Sequence, residues 1–342
     1  LQSNTTGSPN TALGYDALGD NTTAAGNTAV GWASLSKTTT GYANTAVGQS
    51  ALTANTTGFS NVAFGHNTLD ASTTGDNNTA LGKSALSSNT TADSNTAVGT
   101  SALFNNTTGA FNAAMGNDAL RTNSTGGSNI AIGVSALYAN TTASNNVAVG
   151  TNAMLGTTTG ASNVAVGSSA LRTNTTGLEN TAIGLNALYS NTSANYNTAL
   201  GYVAMQDNTT GTQNVAVGRN TLGNNTTGDY NTGSGYSALS EVTTGAQNTG
   251  FGRLAGSGLT TGQNNTFIGY FARPSTISQT NANVIGHSVV GAAGYTTIGV
   301  STSDIRAGNG TATWAAVSDE RYKKDIEHST AGLDFVNDLK PR

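Results

Sequence analysis

Apolar and polar positions recur along this chain with a period of 17 residues. Asn10, Asn27, Asn44 and Asn61 stand 17 apart, and Asn keeps that step through Asn265, giving 16 copies without insertion or deletion. Four residues after each Asn stands a Gly, from Gly14 to Gly269. The consensus is N-T-A-V-G-x-x-A-L-x-x-N-T-T-G-x-x, with the first Asn as position 1. A fixed short period means one small unit stacked on copies of itself. Paired helices need more than about 30 residues per unit, and Gly with Asn-Thr-Thr is a poor helix interior. The pattern predicts one parallel β-coil per copy: a short strand at N-T-A-V ended by Gly, a second strand beginning at A-L, and a turn at N-T-T-G.

Strand alternation sorts the columns. Position 4 is apolar in 15 of 16 copies, as in Leu13, Val30, Phe64, Met115 and Ile132, with Ser234 the exception. Position 2 shares its parity and is mostly Thr or a β-branched apolar residue. Position 9 is mostly Leu, with Met154 and Met205 as size-matched substitutes. These three columns are expected to line the inside of the solenoid. Position 3 is Ala in 13 consecutive copies, Ala12 to Ala216, followed by Gly233, Gly250 and Phe267. By period-2 logic it points away from the large apolar column. A column held at Ala fits a tight bend within the coil or a close contact between chains. The second reading places Ala114, Ala131 and Ala148 at an interchain interface.

The remaining columns read as backbone chemistry. Asn tolerates left-handed conformations and bonds its neighbouring backbone, and stacked Asn amides form ladders, so Asn112, Asn129 and Asn146 are turn residues. Gly116, Gly133 and Gly150 are expected where φ is positive or another backbone comes close. The Thr pairs, Thr22-Thr23 through Thr260-Thr261, are read as β-propensity and turn bonding.

Composition narrows the function classes. Only 9% of the 342 residues are charged, and the net charge is −4. An acidic chain argues against a nucleic-acid partner, which needs a basic footprint. There is no Cys, hence no disulfide framework and no Cys-ligated zinc. No apolar run approaches the ~18 residues of a membrane span, so no membrane insertion is expected. The chain begins at Leu1 without a signal-peptide pattern and reads as a processed or trimmed piece. Three scattered His and sparse carboxylates suggest no metal site, no cofactor and no enzyme acting on an external substrate. The Asp-rich Gly repeats of calcium-binding solenoids are lacking, and the Gly pattern follows the 17-residue clock rather than any phosphate loop.

Two resemblances add to this. The segment N-T-A-V-G-x-x-A-L resembles the repeats in the heads of trimeric autotransporter adhesins, in which three chains each form a parallel β-roll. The period here is longer and the N-T-T-G turn is extra. The second lies at the C-terminal end, where 11 of the 30 charged residues (13 basic plus 17 acidic) fall in the last 25 positions. Ser318 to His328, S-D-E-R-Y-K-K-D-I-E-H, followed by A-G-L-D-F-V-N-D-L-K-P up to Pro341, resembles the opening of the endosialidase-type intramolecular chaperone domain. That resemblance implies trimerisation and self-release, with the family's serine and lysine falling on Ser318 and Lys323. A structural alternative makes Ser318 the cap of a helix whose first turn holds Asp319 and Glu320. Leu333, Val336 and Leu339 suggest that this tail contains a short amphipathic helix.

The resulting expectation is an all-β, parallel β-solenoid or β-roll with 17-residue coils, forming a homotrimeric fibre with a short helical C-terminal tail. Residues 1–286 form the repeats, 287–317 an irregular β stalk and 318–342 a truncated chaperone start. The function expected is extracellular reach and attachment, on a virion tail or a bacterial cell surface, with a cell-surface glycan or receptor as partner. A purely structural filament without receptor and an ice-binding solenoid are the alternatives.

Overall fold

The structure is a computed structural model, and it describes residues 1–310 together with a short strand at Ala315–Ala316. Sixteen three-residue strands, β1 (Thr11–Leu13) to β16 (Thr266–Ile268), lie side by side in one parallel sheet. Each pairs with the copy 17 residues on, so Thr45 stands opposite Val62, Ala46 opposite Ala63 and Val47 opposite Phe64. The chain is therefore a parallel β-solenoid of 17-residue coils, and no helix occurs among the described residues. At about 4.8 Å per strand the sixteen coils span on the order of 77 Å. Each coil has one strand rather than two. The Ala-Leu pair at positions 8 and 9, expected to start a second strand, lies in a turn.

That turn explains the position-9 column. Leu137 has φ of 53° and is fully buried, and its counterparts from Leu18 to Leu239 behave alike. A left-handed conformation costs a non-glycine residue roughly 1–2 kcal/mol. Burying a Leu side chain returns about 1.5–3 kcal/mol, so the strained conformation is retained because it aims the side chain inward. Here the expectation of an inward Leu column holds.

The other inward assignment is reversed. The Ala column at position 3 faces the interior: Ala114, Ala131 and Ala148 are at most 1% exposed within a single chain. They cannot form an interchain contact, and the alternative of close packing within the coil fits instead. Positions 2 and 4 face outward, so the large apolar column lies on the outside. The reason is volume. The Leu column of the preceding coil already occupies the space that the strand's inner face looks into. A Cβ on Gly250 would come within 2.7 Å of Leu239 Cγ. Nothing longer than Ala fits while that Leu is present. Where position 9 becomes Gly256, the Leu is missing, and Phe267 at position 3 of the next coil fills the room with its side chain fully buried.

An Asn at position 1, buried from Asn27 onward, closes every coil, and a second buried Asn at position 12 joins it in most copies. The Asn146 backbone N–H donates to Asn129 Oδ1 (3.0 Å), and Asn146 Oδ1 accepts from the Asn163 backbone N–H (2.9 Å). Its Nδ2 reaches across its own coil to the carbonyl of Gly160 (2.9 Å). In most copies the position-12 amide serves the same carbonyl, as Asn140 Nδ2 and Asn129 Nδ2 both do at Ala143 O (3.1 and 2.9 Å). Asn112 repeats the arrangement with Asn95 and Gly126. A ladder bond between neutral groups contributes about 1 kcal/mol net, but an orphaned buried partner costs about 1–3 kcal/mol. The position-1 column is held at Asn by that asymmetry.

Gly at position 5 satisfies two requirements together. Gly116, Gly133 and Gly150 have φ of 137°, 132° and 134°. A Cβ on Gly133 would come within 2.6 Å of the backbone of Gly150 in the next coil.

Beyond β16 the stack continues through β18 (Asn283–His287), with Ala282 in place of the position-1 Asn. β17 (Arg273–Pro274) pairs with β19 (Val290–Gly291) as a separate two-stranded sheet. The next step shortens to 13 residues, with Asn283 opposite Thr296 in β20 (Tyr295–Val300). β20 then turns back antiparallel to β21 (Ser303–Gly308), which pairs with β22 (Ala315–Ala316). An antiparallel hairpin covers the last parallel edge, which would otherwise be free to template another chain.

Two predictions follow from the coil. Gly133→Val should destabilise by several kcal/mol, combining backbone strain with a clash against the next coil. Repeat rods couple nearest neighbours, so hydrogen exchange should accelerate around residues 116–150 and stay unchanged near both ends. Asn146→Ala should cost about 1–3 kcal/mol more than Asn129→Ala in denaturant titration. Among the described residues Gly160 O accepts from Asn146 alone, whereas Ala143 O keeps the Asn140 donor.

Candidate interaction surfaces

The outward side chains of the strands form one continuous face. Position 4 presents Leu13, Phe64, Met115 and Phe251, which are 68%, 54%, 51% and 62% exposed. Position 2 adds Ile130 and Val215 among the Thr copies. No charged residue occupies either column across β1 to β16. The two outward columns stand about 7 Å apart, so over about 77 Å the strip covers roughly 500 Å². That is near the upper end of what a soluble monomer leaves open, and patches of this size mark interaction sites.

A second feature runs beside it at position 6. Tyr202, Arg219, Tyr236, Arg253, Tyr270 and His287 come from six successive coils and stack along the rod. The Arg219 guanidinium carbon lies 5.5 Å from the ring centres of both Tyr202 and Tyr236. Arg253 lies 5.7 Å from Tyr236 and 5.3 Å from Tyr270. Tyr270 in turn stacks on His287 at 5.0 Å. Neither arginine makes a side-chain hydrogen bond or ion pair among the described residues. A shorter stack at position 10 differs on this point. There Arg121 pairs with Asp118 (3.5 Å) and donates to the Tyr138 hydroxyl (3.2 Å), and Arg172 donates to the Tyr189 hydroxyl (2.5 Å).

Sequence reasoning read position 6 as variable and passed over it. The signal was present: taken as a column, Tyr, Arg, Tyr, Arg, Tyr alternate without a break from Tyr202 to Tyr270. The Thr pairs behave as turn residues. The first Thr hydroxyl donates to the next coil's carbonyl, as Thr141 Oγ1 does to Thr158 O (3.2 Å).

The structure brings Asn112, Asn129 and Asn146 into one ladder and Gly116, Gly133 and Gly150 into one turn edge, and it moves the Ala column indoors. Ser318, Lys323 and the expected C-terminal helix lie outside the described residues. Among the described residues no cluster of three His, Asp or Glu side chains is placed to hold a metal ion, and no helix is long and apolar enough to cross a membrane. No protein-family model, curated protein or solved structure matches this chain.

Proposed function

We propose that the chain is one subunit of a homotrimeric extracellular fibre, assembled through the outward strand face and serving reach and attachment. The observation that carries this reading is the uncharged apolar strip itself. It repeats at the coil spacing over the whole rod, and the surface best matched to it has the same period and the same length. Another copy of this chain has both. Pairing copies would bury position-4 side chains that now face water, at about 25 cal/mol per Å² of apolar surface. Charge is depleted where chains meet, as it is on this strip.

The resemblance of the repeats to trimeric adhesin heads, and of Ser318 to Pro341 to a trimerising chaperone, supports three copies and a surface location on a virion tail or bacterial cell. In this reading catalysis is limited to one self-release step, with Ser318 as nucleophile and Lys323 as its base. The Thr pairs argue against ice binding, because the first hydroxyl of each is engaged by the neighbouring backbone.

Replacing Ile132, Val149 and Val166 together by Glu tests the proposal. The side chains stay outside the coil, so circular dichroism should remain that of the parent. Sedimentation should show a monomer where the parent is a trimer. A triple variant that still sediments as a trimer removes the face from the interface. The comparison Ala131→Glu should unfold the local coils outright, since it places a charge where no water reaches.

A further inference from the structure

We infer that the position-6 stack is a binding site for a linear anionic glycan carrying a carboxylate on every second sugar. A guanidinium between two phenol rings is held by cation–π attraction on both faces, so its side chain is ordered before any ligand arrives. What remains free is the edge, a planar fork of N–H donors matched to a carboxylate. In Arg121 and Arg172 that fork is occupied by Asp118 or by a Tyr hydroxyl. In Arg219 and Arg253 it has no partner among the described residues, and both side chains are exposed. Positions 4 to 10 hold no Asp or Glu in any copy from Leu200 onward. The stack is therefore an uncompensated cationic stretch on a chain of net charge −4.

The spacing selects the ligand. Arg219 and Arg253 are two coils apart, which is about 9.6 Å along the axis. This is comparable to the length of an extended disaccharide, so alternate sugars of a linear polymer would present carboxylates to successive arginines. The Tyr236 edge and hydroxyl between them face the intervening neutral sugar. Both the site and the polymer repeat along one axis, which an acidic peptide of irregular sequence does not. The inference deepens the attachment role proposed above. It does not depend on assembly, because each chain carries all six residues of the stack.

The test is calorimetric titration of the full chain with hyaluronan oligosaccharides of two, four and eight sugars. Dextran, poly-glutamate and a single-stranded DNA oligonucleotide serve as comparators. Affinity should rise at least tenfold from two to four sugars, where a second carboxylate becomes available, and should fall with added salt. Arg219→Gln with Arg253→Gln should lose at least tenfold, and Arg219→Lys with Arg253→Lys should lose part of that, since charge is kept and the fork is not. The native mass of both double variants should equal that of the parent. Absence of binding by the parent chain, equal binding of poly-glutamate or DNA, or unchanged affinity in the Gln double variant would overturn the assignment. So would a Gln double variant that loses its parent mass, because the stack would then be structural. A parent chain that binds the glycan as a monomer would retain the site and discard the trimer.

Discussion

Every coil is closed by a side-chain amide. The position-1 Asn ties its own coil together at the position-15 carbonyl and ties it to both neighbours through its Oδ1 and backbone N–H, as Asn146 does with Gly160, Asn163 and Asn129. With three apolar side chains per coil at positions 3, 8 and 9, hydrophobic burial alone supplies little. The polar ladders and the backbone bonds between coils must hold the rod in register. A slip by one residue would break all of them together, which accounts for sixteen copies without insertion.

The same closure makes the coil thin, and thinness decides what goes inside. The interior has room for one Leu and one Ala from the turn and one methyl group from the strand. Larger apolar side chains are left to the outer face. Residues that would form the core of a sandwich become the surface of a rod, which is the surface proposed above for assembly. The device at the C-terminal end shows how narrow the tolerance is: Gly256 removes the Leu and Phe267 replaces it, so interior volume is conserved across two coils.

Much of this was legible in the sequence. The 17-residue register, the parallel coils, the inward Leu column and the Asn ladders follow from spacing and residue chemistry. The facing of the strand did not. Alternation states that Ala131 and Ile132 point to opposite sides without stating which side is inside, and the habit of placing the larger residue in the core gave the wrong sign. The exchange at Gly256 and Phe267 was the readable clue, because residues that trade volume must share a cavity. The left-handed Leu at position 9 was beyond propensity rules, since the coil imposes that conformation on buried Leu137 and exposed Phe111 alike. The Arg and Tyr stack was missed because variable positions were read along the chain instead of down the column.

The central claim is that the strand's large side chains face outward and become covered only when chains assemble. The chain contains no Cys, so single thiols introduced at consecutive strand positions report on it directly. Ile130→Cys, Ala131→Cys and Ile132→Cys variants would be exposed to a thiol reagent over a dilution series. The account predicts that the thiols at 130 and 132 react quickly in dilute monomer and slowly in the assembly, while the thiol at 131 reacts only on unfolding. A thiol at 131 that reacts in the folded chain, with those at 130 and 132 protected at every concentration, would contradict it.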